Sequence, residues 1–255
     1  MPQTIRLRIL RCASAHAEGY WETFEIPYRS GLNVISALME IRKKPVNTQG
    51  KEVEPVAWEA ACLEEVCGSC TMNVNGYVRQ ACTALIDDVG QEDGDTLEVT
   101  LEPMKKFPLI RDLVVDRSKM FENLIKVKGW VPIDGSYDLG PAQPQDDHVR
   151  KLRYDLSRCM TCGCCLEACP QVNEVSPFVG PAAVGQALLF NLHPIGKNLT
   201  ADRLEFMTSE EGITGCGNAQ NCVKVCPKGV PLTEAIAQIN RDTTVYKIKK
   251  WLGFR

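Results

Sequence analysis

Hydrophobic and polar positions alternate from the start of the chain. Ile5, Leu7 and Ile9 are separated by Arg6 and Arg8, the period of a strand with one buried face. Residues 21–26, from Trp21 to Ile26, read as its antiparallel return. From Asn33 the period becomes helical. Ile35, Leu38, Met39 and Arg42 fall at helical spacing, Asn33 can cap the first turn, and Pro45 lies beyond an end near Lys43. Asn75-Gly76, set between two short apolar-polar runs at 72–74 and 77–79, predicts a tight hairpin. Leu97, Val99 and Leu101 make a last alternating strand, closed by Pro103. The acidic stretch from Asp87 to Asp95 reads as a solvated loop.

Beyond Pro103 the pattern turns helical. Between 111 and 128, Leu113, Val114, Met120, Phe121, Leu124 and Ile125 lie near one helix face. Residues 134–147, with two Pro, two Gly and four Asp, read as a loop or linker. Further helices are expected at 182–192, between Pro181 and Pro194, at 202–207 and at 232–240. A strand-rich half before a helix-rich half predicts an α+β protein of two domains, residues 1–104 and 105–255. A chain of 255 residues is long enough for both.

Composition is that of an ordinary globular protein, 44% hydrophobic and 24% charged with a net charge of −3. It has no basic stripe of the kind that nucleic acid requires. The first residues lack the basic, apolar and small-residue segments of a signal peptide, and no apolar run approaches the ~18–20 residues that span a bilayer. A cytoplasmic chain that meets a membrane only peripherally or through partners is expected. Thirteen cysteines change this picture. An odd, tightly clustered set argues for metal ligation in a reducing compartment rather than for disulfides.

Cys62, Cys67 and Cys70 are spaced C-x4-C-x2-C, and Cys82 follows after eleven residues. This is the plant-type ferredoxin spacing for a [2Fe–2S] cluster, whose two irons need four thiolates. Gly68 suits a loop that turns its amides toward the sulfurs, which favours the reduced cluster. A zinc site also takes four cysteines, although zinc modules more often pair two short knuckles. A Rieske centre needs two His ligands, and this half has only His16.

Cys159-x2-Cys162-x2-Cys165-x3-Cys169-Pro170 matches the bacterial ferredoxin run, in which the fourth cysteine serves the other cluster. A second run appears as Cys216-x5-Cys222-x3-Cys226-Pro227, with Ala219 where a thiolate belongs. Crossed ligation then gives Cys159, Cys162, Cys165 and Cys226 to a [4Fe–4S] cluster. Cys169, Cys216 and Cys222 are left for a cluster one ligand short, read as [3Fe–4S]. The alternative is a fourth iron held by water, Asn218 or Asn221. These assignments use eleven of the thirteen cysteines; Cys12 reads as a small buried hydrophobe and Cys164 is out of phase with its motif. No dinucleotide fingerprint, phosphate loop or acid–base set accompanies them, and His148 and His193 read as solvent or capping residues. Three clusters without catalytic residues predict a conductor, with substrate chemistry on a partner. The tail, 246–255, interleaves aromatics with Lys and Arg, as a docked terminal helix or an interfacial anchor would.

A plant-type motif, a bacterial-type motif and then a three-cysteine run resemble the iron–sulfur subunits of succinate dehydrogenase and fumarate reductase. The likeness is carried by "LNVISALMEIRKKPVN", "CLEEVCGSCTMNVNG", "RQACTALID", "LSRCMTCGCCLEACPQVN", "GCGNAQNCVKVCPKGVPL" and "INRDTT", and looks closest to the succinate dehydrogenases of menaquinone-using Gram-positive bacteria. It implies a plant-type ferredoxin (β-grasp) domain followed by a helical bacterial-ferredoxin-like domain. It also implies a flavoprotein partner that oxidises succinate on FAD and a dihaem cytochrome b membrane anchor that passes electrons on to menaquinone, with this chain peripheral on the cytoplasmic side of the cell membrane. The family's ligands map onto the same eleven cysteines.

The ubiquinone-using branch carries tryptophans after the Cys-Pro and a histidine after the first cysteine of the last run. Here Gln171, Val172 and Asn173 follow Pro170, and Gly217 follows Cys216, so no quinone-binding residues are assigned. Three other readings stay open. These are a fumarate reductase subunit running in the opposite direction, a stand-alone multi-cluster ferredoxin, and a zinc-binding interaction module.

Overall fold

The computed structural model describes residues 2–132 and 144–253, and the chain divides into two compact units, residues 1–117 and 118–255. In the first, β1 (Thr4–Arg11) pairs antiparallel with β2 (Tyr20–Pro27) and parallel with β6 (Thr96–Glu102). Ile5, Leu7 and Ile9 are fully buried, as their alternation requires. Between these strands lie α1 (Val34–Lys43), β3 (Thr71–Val74), β4 (Tyr77–Gln80), α2 (Ile86–Val89) and β5 (Gln91–Asp93). The sheet order is β2-β1-β6-β3-β4, with β5 also on β6. A parallel β1–β6 pair demands a long crossover, and α1 and the cysteine-bearing segment fill it.

Asn33 caps α1, its side chain accepting from the Ser36 amide at 2.8 Å. The buried face of α1 is Val34, Ile35, Ala37, Leu38 and Ile41, whereas Met39, expected on it, is exposed. The apolar face is therefore turned toward Ala37 and Ile41. Asn75 and Gly76 both take left-handed φ, 51° and 78°, and close the β3–β4 hairpin in the register Thr71↔Gln80 to Val74↔Tyr77. The acidic stretch is more ordered than a solvated loop. It contains α2 and β5, and Asp87 accepts from the Gly31 amide (3.0 Å) and the Tyr28 hydroxyl (2.9 Å). Short, charged β5 blunts the edge it adds to β6.

The helix expected over 111–128 starts only at Ser118. Before it, β7 (Leu109–Arg111) and β8 (Val114–Val115) form a small ribbon that packs with the first unit. The segment from 105 to 117, expected at the head of the second domain, belongs to the first for a polar reason. Asp112, buried at φ 45°, accepts from Arg11 Nε (3.0 Å), the Cys12 amide (3.1 Å) and the Ala57 amide (2.8 Å). Arg11 is itself buried and also pairs with Glu22. Charge patterning along the chain gave no sign of this network, since Asp112 lies beside Arg111 in sequence and serves Arg11 in space.

The second unit comprises α3 (Ser118–Lys126), α4 (Asp147–Ser157), α5 (Cys164–Glu167), α6 (Pro181–Asn191), α7 (Thr200–Met207), α8 (Asn221–Lys224) and α9 (Leu232–Trp251). Most of the linker read at 134–147 lies outside the described residues. Its last residues start α4, where Asp146 accepts from the His148 and Val149 amides. Helices α6 and α7 match expectation, and α6 begins with Pro181 behind Gly180 at φ 94°. Helix α9 runs far beyond the expected end at Asn240, because nothing breaks it before Gly253. Leu232, Ala235, Ile239 and Thr243 make its buried stripe, and Lys250 and Tyr246 both reach Glu205 of α7 at 2.8 Å. Arg203, fully buried, donates to the carbonyls of Lys128, Trp130 and Gly196 and to Asn191, tying α7 to the chain after α3.

Removing the carboxylate of Asp112 leaves Arg11 charged and short of a partner in the first unit. Asp112→Ala is expected to cost roughly 3–5 kcal/mol. Asp112→Asn, which tolerates the left-handed backbone and keeps part of the acceptor set, should cost less. Denaturant unfolding of the purified chain measures both.

Candidate cluster-binding sites

The first cysteine set sits where the β3–β4 hairpin meets the loop before it. Cys70 immediately precedes β3 and Cys82 follows β4 by one residue, so the hairpin register brings them together, with the Ala81 amide donating to the Cys70 carbonyl at 3.2 Å. Leu63, Glu65 and Gly68 take positive φ of 61°, 54° and 75°. Such alternation curls successive amides toward one side, forming a nest for negative charge. The amides of Glu64, Val66 and Cys67 accordingly donate to the Cys62 sulfur at 3.3–3.4 Å.

The four sulfurs fall into two pairs. Cys67 and Cys62 interact with each other, and Cys70 with Cys82. Hydrogen bonds from the Ser69 side chain and from the Cys62 and Ser69 amides pull the Cys67 thiol down to about 6. Burial pushes Cys70 up to about 11. Two thiol pairs, one amide-rich and exposed, the other buried, suit two metal ions bridged by inorganic sulfide. A single tetrahedral ion would gather all four sulfurs around one point.

In the second unit the two cysteine runs repeat one backbone shape. Thr161 and Asn218, each two residues after the first cysteine of its run, have φ 53°. Gly163 and Gln220, two residues further on, have φ 90° and 59°. A four-residue helix follows in each case, α5 and α8, and these pack together; each run ends in Cys-Pro. Counted along this repeat from the first cysteine of each run, Ala219 takes the position that Cys162 has in the other. The phase read from sequence is thus repeated in the dihedral angles.

The sulfurs of the two runs group crosswise. Burial raises the Cys165 thiol well above its ordinary value, and Cys159, Cys162, Cys226 and, least, Cys222 of the neighbouring set repel its charged form further. Burial likewise raises Cys159, again with Cys162 and Cys226 as like-charged neighbours. Cys222 is raised by burial and then by Cys169 and Cys216. One small cavity is lined by Cys159, Cys162, Cys165 and Cys226. Another is lined by Cys169, Cys216 and Cys222 together with Ala219. Crowded, buried thiols cannot all ionise alone, and iron cations are the compensation that lets them do so. Both sites fit iron–sulfur clusters.

Cys12 and Cys164, the two cysteines left over by the spacing, are both buried. The Cys12 thiol donates to the carbonyls of Ser14 (3.0 Å) and Ala17 (3.2 Å), while Cys164 opens α5. Sequence reading missed three helpers. Ser69 Oγ lies 3.0 Å from the Cys67 sulfur, the Gln186 side chain of α6 favours the charged form of Cys159, and Arg117 binds the loop between Cys67 and Cys70. Ser69 was visible inside its motif; nothing in sequence ties the other two to a cysteine. The two departures from the ubiquinone branch prove to be one feature, because the Gln171 side chain fills the space that a side chain at Gly217 would take.

A family model described as a 2Fe-2S iron-sulfur cluster binding domain matches residues 6–122, and one described as a 4Fe-4S dicluster domain matches residues 155–230. The succinate dehydrogenase iron-sulfur subunit of Bacillus subtilis is 54% identical over 251 residues, covering 98% of this chain and 97% of that one. The chain belongs to the family of succinate dehydrogenase and fumarate reductase iron–sulfur subunits. A fumarate reductase iron-sulfur subunit of Haemophilus influenzae is 31% identical, over 87% of this chain and 85% of its own. In shape, this member of the family matches a chain of the Mycobacterium smegmatis Sdh1 complex with a TM-score of 0.78, covering 97% and 98% of the two chains at 23% identity. The α+β architecture, a ferredoxin sheet domain before a helical one, is the family's.

In the cluster-free chain, thiol reactivity should follow these environments. Cys67 is expected to be alkylated first at pH 7, its rate falling as pH drops through about 6. Cys70 should stay unreactive until strongly alkaline pH. Mass-spectrometric mapping of iodoacetamide labelling against pH reads both.

Proposed function

We propose that this chain is the electron-conducting subunit of a membrane-bound succinate:quinone oxidoreductase. The observation that carries the reading is the grouping of eleven sulfurs into a set of two pairs, a set of four and a set of three. Cys62, Cys67, Cys70 and Cys82 hold a [2Fe–2S] cluster in the first domain. Cys159, Cys162, Cys165 and Cys226 hold a [4Fe–4S] cluster in the second, and Cys169, Cys216 and Cys222 hold a [3Fe–4S] cluster beside the methyl group of Ala219. Bound clusters supply one-electron carriage. The chain's own residues exclude water from the sulfurs, aim amides at them and set their spacing.

A conductor needs a donor and an acceptor. A flavoprotein with FAD oxidises succinate on one side, and a haem-bearing membrane anchor passes electrons to menaquinone on the other. The 54% identity to a succinate dehydrogenase subunit, against 29–31% for fumarate reductase subunits of Wolinella succinogenes and Haemophilus influenzae, favours succinate oxidation as the working direction. Among the described residues no helix is long and apolar enough to cross a membrane. Attachment is therefore peripheral, at the cytoplasmic face of the anchor. The end of α9 suits it, with Ile248, Trp251 and Leu252 exposed among Lys247, Lys249 and Lys250. Quinone is reduced within the anchor, and this chain contributes no assigned quinone residue.

Two measurements test the reading. Electron paramagnetic resonance of the membrane complex should show both the two-iron and three-iron centres reduced on adding succinate. An active complex whose clusters ignore succinate would overturn the substrate while leaving the clusters in place. Ala219→Cys should supply the missing thiolate, abolish the three-iron signal of the oxidised complex and replace it with a second [4Fe–4S] centre. An unchanged three-iron signal in a fully loaded variant would refute the pairing of Ala219 with Cys162.

A further inference from the structure

Arg117 closes the first unit, far along the chain from the C-x4-C-x2-C loop, yet its guanidinium binds inside that loop. Nη1 donates to the Gly68 carbonyl at 2.6 Å and Nη2 to the Ser69 carbonyl at 2.7 Å. The Gly68 oxygen also accepts from Thr71 Oγ1 at 2.7 Å. Both guanidinium bonds go to peptide oxygens rather than to a carboxylate, so they leave its positive charge unneutralised. Across the same peptide bond from the Gly68 oxygen, the Ser69 amide favours the charged form of Cys67, and Ser69 Oγ lies 3.0 Å from that sulfur.

A trans peptide points its N–H opposite to its C=O. A cation holding the oxygen on one side therefore fixes the amide hydrogen on the sulfur at the other. It also polarises the peptide, because hydrogen bonds in a chain strengthen one another. An ammonium group could not do the same work, since only a planar fork reaches two oxygens at once in a fixed geometry.

We infer that Arg117 is a positioning residue for the [2Fe–2S] cluster, raising its reduction potential by clamping and polarising the peptide between Gly68 and Ser69 against the Cys67 sulfur. Reduction adds one negative charge to the cluster, and both a nearby cation and a stronger amide-to-sulfur bond favour that state. The inference rests on the assignment of Cys62, Cys67, Cys70 and Cys82 to that cluster.

The test is a redox titration of the assembled complex, followed by electron paramagnetic resonance, for the parent, Arg117→Gln and Arg117→Lys. The [2Fe–2S] midpoint should move to more negative potential in Arg117→Gln, and by less in Arg117→Lys. The midpoints of the other two centres should stay in place. A parent-like [2Fe–2S] midpoint in Arg117→Gln with full cluster content overturns the role of Arg117. If the glutamine variant loses the cluster, Arg117→Lys decides alone, and a parent-like midpoint there overturns the clamp. Absence of a two-iron signal from the parent itself would instead reject the cluster assignment.

Discussion

Sulfur crowded against buried sulfur is the condition that the second unit is built around. Burial alone disfavours a thiolate, and neighbouring thiolates disfavour it again, as Cys165 and Cys222 both show. Protonated, the cysteines that line the two small cavities carry no electrostatic cost; ionised, as cluster binding requires, they need cations to offset their burial and mutual repulsion. Metal binding and protonation are linked for this reason: the ligands must deprotonate to bind.

The first unit meets the same demand with different chemistry. Its loop is more exposed, and amides rather than apolar side chains surround Cys62 and Cys67. Left-handed residues at 63, 65 and 68 turn those amides inward, and Arg117 and Thr71 hold the carbonyls on the opposite side. Two environments follow on one cluster. The Cys62–Cys67 pair is rich in hydrogen bonds, while the Cys70–Cys82 pair is pressed into the core. On the proposed cluster, an added electron would be better stabilised near the first pair.

Among the described residues, the polar groups beside the cysteines are engaged in structure. His193 is spent as an acceptor for the Ile195 and Gly196 amides, and its charged form is disfavoured first by burial and then by Arg153. The buried charges, Arg11 with Glu22 and Asp112 in one unit and Arg203 in the other, are fully engaged in tying segments together. Polar groups are used here for placement, and the chemistry is left to the sulfurs.

Cysteine spacing alone pointed to a 2Fe–2S domain followed by a 4Fe–4S dicluster domain, as the family models match, because a cluster's ligands come from short loops whose reach is a few residues. Period-two and helical patterns were likewise enough for β1, β2, α1 and the Asn75-Gly76 hairpin, where local propensity and burial agree. Even the vacancy at Ala219 was legible as a phase within a run. The tertiary structure decided what depends on residues distant in sequence. Asp112 draws the segment from 105 to 117 into the first unit through Arg11, and β5 gains its order from β6. Helix α9 continues past Asn240 along α7. Arg117 reaches the carbonyls of Gly68 and Ser69 beside Cys67 and Cys70, to which no periodicity connects it. Spacing is a property of the chain, whereas a hydrogen bond across many intervening residues exists only once folding has closed the distance.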